Sequence, residues 1–144
     1  MMVYLASDHA GFHLKEKTKK FLVKAGYQVK DFGAFKFNPE DDYPDFIRKA
    51  AQAVSKNPRN RGIIFGGSGQ GEAMVANRFK NVQAAVLYKY DKKIITLSRQ
   101  HNDANVLSLG ARFLTEKEAI AAVGLWLKTK FSGEARHRRR LVKF

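Results

Sequence analysis

The stretch Ile63-Ile64-Phe65-Gly66-Gly67-Ser68-Gly69-Gln70-Gly71-Glu72 organises the rest of the chain. Three apolar residues lead into four glycines within six positions, and a helical pattern over residues 73–78 follows directly. This order predicts a buried strand, a tight turn and a helix start, where backbone N–H groups converge on an anion. Glycine has no Cβ atom, so this backbone can approach a ligand closely. We expect an anion site with the Glu72 carboxylate beside it; the alternative is an ordinary structural turn.

Two familiar phosphate-binding loops do not match this stretch. Gly66 and Gly71 have the glycine spacing of a P-loop, but Glu72 and Ala73 stand where that motif needs lysine and a hydroxyl residue. An anion thus replaces the cation that neutralises a triphosphate, which argues against ATP. A dinucleotide-binding loop would need a third glycine at position 72.

Apolar runs and helical patterns alternate along the whole chain. Strands are predicted at 3–6, 27–32, 62–65, 82–87 and 105–109, and helices at 12–25, 43–55, 73–78, 91–100 and 115–130. Thr115 and Glu118 form a capping-box signature at the start of the last helix. This alternation predicts an α/β fold: one Rossmann-like or flavodoxin-like domain over residues 1–144, a three-layer αβα sandwich with a five-stranded parallel sheet.

Length and composition narrow the class of protein. A chain of 144 residues suits one domain with a real core. No apolar run approaches the roughly 20 residues that span a bilayer, and we expect no signal peptide. The chain has no cysteine, which excludes disulfides and thiol chemistry and fits a reducing compartment. We therefore expect a cytoplasmic protein.

The net charge of +14 invites a nucleic-acid partner. Most lysines are dispersed, however, which is typical of solvated helix faces that attract phosphorylated metabolites. The one dense run, Arg136 to Arg140, has neither interleaved aromatic residues nor a recognisable reading motif. It is either a disordered basic tail or a set of guanidinium groups that grip a phosphate. A nucleic-acid-binding domain is therefore the less favoured reading.

Residues with chemical functions follow several predicted strands. Asp8 and His9 follow the first strand, the glycine loop follows the third, and Arg112 follows the fifth. Ligands of such sheets bind beyond the carboxyl ends of the strands, so these groups should meet. His101-Asn102-Asp103 closes the fourth helix, and topology leaves open whether it reaches the same crevice or is supplied by another subunit.

Other interpretations of these residues are a metal site for the histidines and simple structural roles for the rest. His9 and His13 are four positions apart, but no third ligand is evident, so no metal is predicted. Asp8 could cap a helix. Glu72 could complement a helix dipole, worth about 0.3–1 kcal/mol, or act as a general base; the helix end lowers its pKa and exclusion of water raises it. His101 could be a satisfied polar residue or a general acid.

A set of short motifs occurs in order along nearly the whole chain. They are Ser7-Asp8-His9-Ala10-Gly11-Phe12, Asp42-Tyr43-Pro44, Gly66 to Glu72, Ala76-Asn77-Arg78, Ser98 to Asn105, Gly110-Ala111-Arg112 and Arg136-His137. Together they resemble ribose-5-phosphate isomerase B and its galactose-6-phosphate isomerase relatives. The resemblance implies interconversion of an aldose phosphate and a ketose phosphate through an enediolate, without metal or organic cofactor.

The resemblance also implies roles for individual residues. The implied catalytic residues are Glu72, His101, Ser68 and Asp8, with His101 as the acid that opens the furanose ring and Asp8 assisting. The implied substrate-binding residues are Asp8, His9, Tyr43, Gly67, Ser68, Gly69, Gln70, Gly71, Asn102, Arg112, Arg136 and Arg140. Within this set, His9 and the three arginines correspond to the phosphate-binding group, and Asn102 to a ligand of a sugar hydroxyl.

The chain departs from the family pattern at one position. Many members have a cysteine base where this chain has Gly66, whereas another branch uses a glutamate that matches Glu72. Triosephosphate isomerase gives the same proton shuttle to a glutamate. We therefore expect Glu72 to be the base. The resemblance also implies a homodimer or homotetramer with active sites at the subunit interface. Ribose 5-phosphate and ribulose 5-phosphate are the expected substrates; a galactose or allose 6-phosphate is the alternative.

Overall fold

Five strands and six helices make up the computed structural model, which describes residues 1–144. The strands are β1 (Met2–Ser7), β2 (Gln28–Asp31), β3 (Arg61–Gly66), β4 (Ala84–Leu87) and β5 (Val106–Gly110). The helices are α1 (Phe12–Lys24), α2 (Tyr43–Lys56), α3 (Gln70–Ala76), α4 (Lys92–Gln100), α5 (Glu116–Lys128) and α6 (Ala135–Leu141). The predicted α/β architecture is confirmed.

The five strands form one parallel sheet in the order β2-β1-β3-β5-β4. The chain builds outward from β1 to β2 and then continues from β3 on the other side of β1. The strand order therefore reverses between β1 and β3. In open parallel sheets, a crevice for ligands forms at such a reversal, beyond the carboxyl ends of the two strands.

Side chains of the central strand alternate between two hydrophobic cores. Ile63 and Phe65 of β3 belong to a core completed by α1, α4 and α5, with Trp126 fully buried in it. Ile64 belongs to the core under α2 and α3. Successive strand residues face opposite sides of a sheet, so a strand that is apolar at every position requires helices on both faces.

Local sequence signals set the ends of several helices, and the capping box predicted at Thr115 is present. Thr115 caps α5, and its hydroxyl and the Glu118 carboxylate exchange hydrogen bonds with each other's backbone N–H groups. Pro44 occupies the first turn of α2, where its missing N–H has no intrahelical partner in any case. Gly26 follows the end of α1 with a φ of +83°, a conformation that glycine adopts without strain.

One of the two alternatives left open for the basic run is excluded, and the start of one helix needs correction. The basic run from Arg136 to Arg140 is not a disordered tail but lies in α6, which His137 anchors through a buried imidazole 2.9 Å from the Ser132 hydroxyl. Helix α3 begins at Gln70, three residues before the apolar pattern indicates. The reason is that Gly69, with a φ of +78°, turns the chain directly into the helix.

No helix in the structure has the length and apolar character needed to cross a membrane.

A buried ion pair anchors the end of β2. Lys15 of α1 is fully buried, and its Nζ lies 2.7 Å from the Asp31 carboxylate, which also receives Lys19 at 2.8 Å. Burial raises the pKa of Asp31, but hydrogen bonds from Lys15 and Lys19 outweigh it and hold that pKa below its usual value. Asp31 also accepts from the Gly33 N–H at 2.9 Å, so the pair fixes the start of the loop over residues 33–42.

We expect Lys15→Met to lower the free energy of unfolding by about 2–3 kcal/mol, because it leaves a buried carboxylate with only one of its two lysine partners. Chemical denaturation followed by circular dichroism measures the loss. Lys17→Met is the control: Lys17 is exposed and lies 3.7 Å from Glu116, so its loss should cost about 0.5 kcal/mol or less. Equal losses in the two variants would contradict the buried pair's role.

Candidate active site

A cleft of about 560 Å³ opens where the strand order reverses, at the ends of β1 and β3. It is lined by Asp8, His9, Ala10, Tyr43, Gly67, Ser68, Gln70, Gly71, Glu72, Met74 and Arg112. All of these except Ala10 and Met74 were implied as site residues by the sequence. The fold thus brings the ends of three strands and the start of α2 to one place, as their order in the sheet requires.

Strand β5 holds the glycine loop in position. The Ala111 N–H donates to the Gly66 carbonyl at 2.8 Å, and the Arg112 N–H donates to the Gly67 carbonyl at 3.1 Å. The Ser108 hydroxyl donates to the Gly69 carbonyl at 2.6 Å. Gly69 is buried against the β5 backbone, so it supports the loop without lining the cleft.

Three backbone amides of the loop have no partner within the chain, and two of them, those of Gly67 and Ser68, belong to residues that line the cleft. The N–H groups of Gly67, Ser68 and Gly69 donate to no acceptor within the chain. The next amide, that of Gln70, is 3.3 Å from the Ser68 hydroxyl oxygen. A cluster of unsatisfied amide donors at the mouth of a sheet stabilises negative oxygen, either on a bound anion or on a developing one.

Glu72 lies beneath this loop and is only 4% exposed. Its carboxylate fills the volume that a Cβ atom on Gly66 would occupy. In the same way, a Cβ atom on Gly71 would fall 2.6 Å from the hydroxyl oxygen of Tyr43. Glycine at these two positions therefore lets an acidic and a phenolic side chain pack directly against the loop backbone.

Burial decides the proton affinity of Glu72. It raises the pKa of the carboxyl, and the nearby Asp8 carboxylate raises it further, against the lowering effect of a hydrogen bond from its own backbone N–H. The sequence left open whether the helix start or exclusion of water by a bound ligand would prevail; burial by the protein itself already raises the pKa of Glu72. A carboxyl with a raised pKa holds a proton better, as a general base must after it has taken one.

His9 is held by a residue that sequence reasoning missed. Its Nδ1 lies 2.7 Å from Oδ1 of Asp41, in the loop before α2. This hydrogen bond, with further contributions from Asp8 and Asp41, outweighs burial and raises the pKa of His9 above its usual value. The one available signal was the acidic run Glu40-Asp41-Asp42 directly before Tyr43.

The two histidines considered as a metal pair contact other side chains, and His9 bonds Asp41. The His13 ring stacks on Phe37, with ring centroids 5.8 Å apart. Ligand atoms of Asp8, His9 and Asp41 do lie within 4.8 Å of one another. Asp8 accepts a hydrogen bond from the Gly11 N–H, and Asp41 accepts two from His9, so internal hydrogen bonds account for the grouping. The expectation of no metal remains a prediction.

The other implied residues, His101, Asn102, Arg136 and Arg140, are not among the residues that line the cleft. His101 ends α4, and its ring centroid lies 4.1 Å from that of the buried His137 of α6. Burial, followed by His101 and the arginines of α6, lowers the pKa of His137 and favours its neutral form. Asn102 lines a separate groove of about 1120 Å³ beside β4 and the C-terminus. One chain thus carries its implied site residues in two separate groups.

A buried arginine fixes the turn that carries His101. Arg99 is 3% exposed, and its Nη1 donates to the Asp103 carboxylate at 2.7 Å and to the Ala104 carbonyl at 2.6 Å. Its guanidinium also lies 5.5 Å from the Trp126 ring. The segment that presents His101 and Asn102 is therefore rigidly attached to the core.

Comparison with known proteins identifies the family. Residues 3–144 match the sequence profile of the Ribose/Galactose Isomerase family. The chain belongs to this family. Ribose-5-phosphate isomerase B of Mycolicibacterium paratuberculosis is 40% identical over 98% of this chain and 87% of its own length. A probable ribose-5-phosphate isomerase B of Mycoplasma pneumoniae is 42% identical over 98% of this chain and 91% of its own.

Solved structures of family members have the same fold. Ribose-5-phosphate isomerase B from Mycoplasma genitalium, with bound ribulose-5-phosphate, has a TM-score of 0.93 and 41% identity, covering 99% of this chain and 92% of its own. The isomerase B from Clostridium thermocellum has the same TM-score and identity, covering 99% and 94%. The resemblance inferred from the motifs is confirmed.

Ionisation of buried Glu72 should destabilise the fold. Its pKa is raised in the folded state, so stability falls as the pH rises from glutamate's ordinary value of 4.5 through the raised value. We expect Glu72→Gln to unfold a few degrees above the unmodified protein at pH 7, with the two midpoints converging at pH 4 and below. Calorimetric melting across this range tests it. Glu40→Gln, at an exposed position, should show no such pH dependence. If the melting temperature of Glu72→Gln, relative to that of the unmodified protein, is lower at pH 7 than at pH 4, the assignment is contradicted.

Proposed function

We propose that this protein interconverts ribose 5-phosphate and ribulose 5-phosphate. The observation that carries the proposal is the buried Glu72 carboxylate directly beside the free amides of the glycine loop. A base next to an anion cradle is the arrangement required for removing a proton from carbon next to a carbonyl group. The names of the relatives support the same reaction, as does the ribulose-5-phosphate bound to the Mycoplasma genitalium enzyme.

In this proposal, Glu72 moves one proton between adjacent sugar carbons. The carboxylate takes the proton from C2 of the open-chain aldose, a C1–C2 double bond forms, and the carbonyl oxygen on C1 becomes an enediolate oxygen. The free amides of Gly67 and Ser68, which line the cleft, stabilise that oxygen. Glu72 then returns the proton to C1, and the C2 hydroxyl becomes the ketone as its proton passes to the C1 oxygen. Losing one oxyanion donor typically costs about 10²–10³ in rate.

Arg112 and His9 are proposed to bind the phosphate within the same cleft. Arg112 lies over the loop, since a Cβ atom on Gly67 would fall 3.2 Å from its Nη1. With His9, it offers two cationic groups to a phosphate. Tyr43 packs on Gly71 and lines the cleft, and Asp8 is 6% exposed beside His9, within reach of a sugar hydroxyl.

A second copy of the chain is proposed to complete the site. His101, Asn102, Arg136 and Arg140 do not line the cleft of their own chain, yet the resemblance assigns them ring opening, hydroxyl binding and phosphate binding. A two-fold dimer could supply this second group to the cleft of its partner. The groove that Asn102 lines also includes the apolar residues Leu141, Val142 and Phe144, which suit a contact between subunits. Dimer or tetramer and a cytoplasmic location remain predictions.

A hexose 6-phosphate isomerase is the second candidate, because the matched family covers both ribose and galactose isomerases. A hexose 6-phosphate has one more carbon than ribose 5-phosphate between the reacting carbons and the phosphate. A panel of ribose 5-phosphate, allose 6-phosphate and galactose 6-phosphate separates them. We expect kcat/KM to be highest for ribose 5-phosphate, by roughly 10-fold or more, the usual cost of one carbon of misfit. A higher value for either hexose phosphate would reassign the substrate.

Mixed oligomers test whether two chains build one site. Glu72→Gln and His101→Asn should each be nearly inactive alone. If the two residues act from different chains, a heterodimer keeps one intact site, and an equimolar mixture after subunit exchange should regain about a quarter of the unmodified activity. Activity that stays at the level of the separate variants would contradict a shared site. Mixing Glu72→Gln with itself after the same treatment is the control.

A further inference from the structure

Asp41 is an acidic residue without an assigned role whose side chain is largely buried, and it contacts His9 at two points. Its Oδ1 accepts a hydrogen bond from the His9 backbone N–H at 2.9 Å and is 2.7 Å from the ring Nδ1. The Asp41 side chain is 8% exposed, and its other oxygen, Oδ2, is buried without any hydrogen-bond partner. One carboxylate oxygen thus holds both the backbone and the ring of the same histidine.

The loop that carries Asp41 is fastened to the sheet at its start and closes in a hydrogen-bonded turn at its end. At its start, the Ser7 N–H donates to the Gly33 carbonyl at 2.7 Å, and the Gly33 N–H donates to Asp31. At its end, the Asp41 N–H donates to the Asn38 carbonyl at 3.1 Å. The carboxylate is therefore delivered to His9 by a fixed turn, at the end of β1.

This contact determines which ring atom of His9 meets a ligand. With Nδ1–H donated to Asp41, Nε2 is the ring nitrogen left for the cleft that His9 lines. A buried carboxylate with one unpartnered oxygen is costly unless a cation stands beside it, so the pair favours the imidazolium form. The raised pKa of His9 agrees with this geometry.

We propose that Asp41 is a positioning residue that holds His9 as a cation, with its Nε2–H directed to the substrate's phosphate. The identity of that substrate rests on the proposed function. An imidazolium forms a charge-assisted hydrogen bond with a phosphate oxygen, about twice as strong as the bond from a neutral ring. Phosphate affinity should therefore fall as the pH rises through the raised pKa of His9.

The influence of other charged groups on His9 must be distinguished from the influence of Asp41. The Asp8 carboxylate lies 4.0 Å from Nδ1 and also favours the cation, whereas Arg112, in the turn after β5, and Glu72, in α3, line the same cleft. Asp41 differs from these groups in its direct bond to the ring. Replacing it should therefore change the ring's titration, and Asp8, Arg112 and Glu72 stay in place as a constant background.

The test measures His9 titration by NMR of the ring and binding of inorganic phosphate by calorimetry, both from pH 5.5 to 9. We expect Asp41→Asn to shift the His9 midpoint down by about one pH unit and to weaken phosphate binding about 5–10-fold near pH 7, with little effect at pH 5.5, where the ring is charged in both proteins. KM for ribose 5-phosphate should rise with kcat nearly unchanged. Asp41→Glu, which keeps the charge, should restore part of the affinity.

Glu40→Gln is the matched control, because it removes the same charge from an exposed position in the same loop. It should change neither the titration nor the binding. An unchanged His9 midpoint in Asp41→Asn, or equal weakening of phosphate at every pH, would overturn the proposal and leave Asp41 a structural cap. If Asp41→Asn fails to fold, the unmodified protein decides: a His9 midpoint at or below 6.5 overturns the proposal. Absence of isomerase activity would refute the proposed substrate without affecting either readout.

Discussion

The close packing of the Glu72 carboxylate against the bare Cα of Gly66 is the constraint on which the rest of the site depends. Position 66 ends β3 and position 72 lies in the first turn of α3, so this contact fixes how the loop between them must turn. Any side chain at position 66 would displace the carboxylate. A cysteine at position 66 would therefore require the Glu72 carboxylate to move from the place it occupies here.

The same close packing determines whether the Glu72 carboxyl favours its ionised or its protonated form. A helix start favours an ionised carboxylate, but burial beneath the loop favours the protonated form and prevails. The loop amides remain free to stabilise a different negative oxygen, because Glu72 does not use those of Gly67, Ser68 and Gly69. The folded protein is therefore less stable when Glu72 is ionised. Such a loss of stability is common at positions where a side chain takes part in a reaction.

Sequence patterns were enough to predict the strands of the sheet and most of the residues that line the cleft. The apolar run at 62–65 and the glycines after it located the central strand and its loop, and the ends of β1 and β5 followed from the sheet order. Asp41 was missed because its partner is 32 residues away, in a loop with no periodicity that could reveal the contact. Helix α6 was missed because seven mostly basic residues carry no apolar stripe, and only the buried His137 attaches them to the core. The relation of His101 to the cleft could not be inferred from the sequence, because His101 does not line the cleft of its own chain and the second copy that would bring it there is a proposal.

Isomerisation in D₂O, followed by NMR of the sugar carbons, tests most directly whether Glu72 carries a proton between them. If it does, the carboxyl exchanges its proton with solvent during the lifetime of the enediolate, and deuterium accumulates at C2 of ribose 5-phosphate and at C1 of ribulose 5-phosphate over many turnovers. Glu72→Gln should leave both positions protonated under the same conditions. Sustained turnover by the unmodified protein without deuterium at either carbon, or unimpaired exchange by Glu72→Gln, would contradict the assignment.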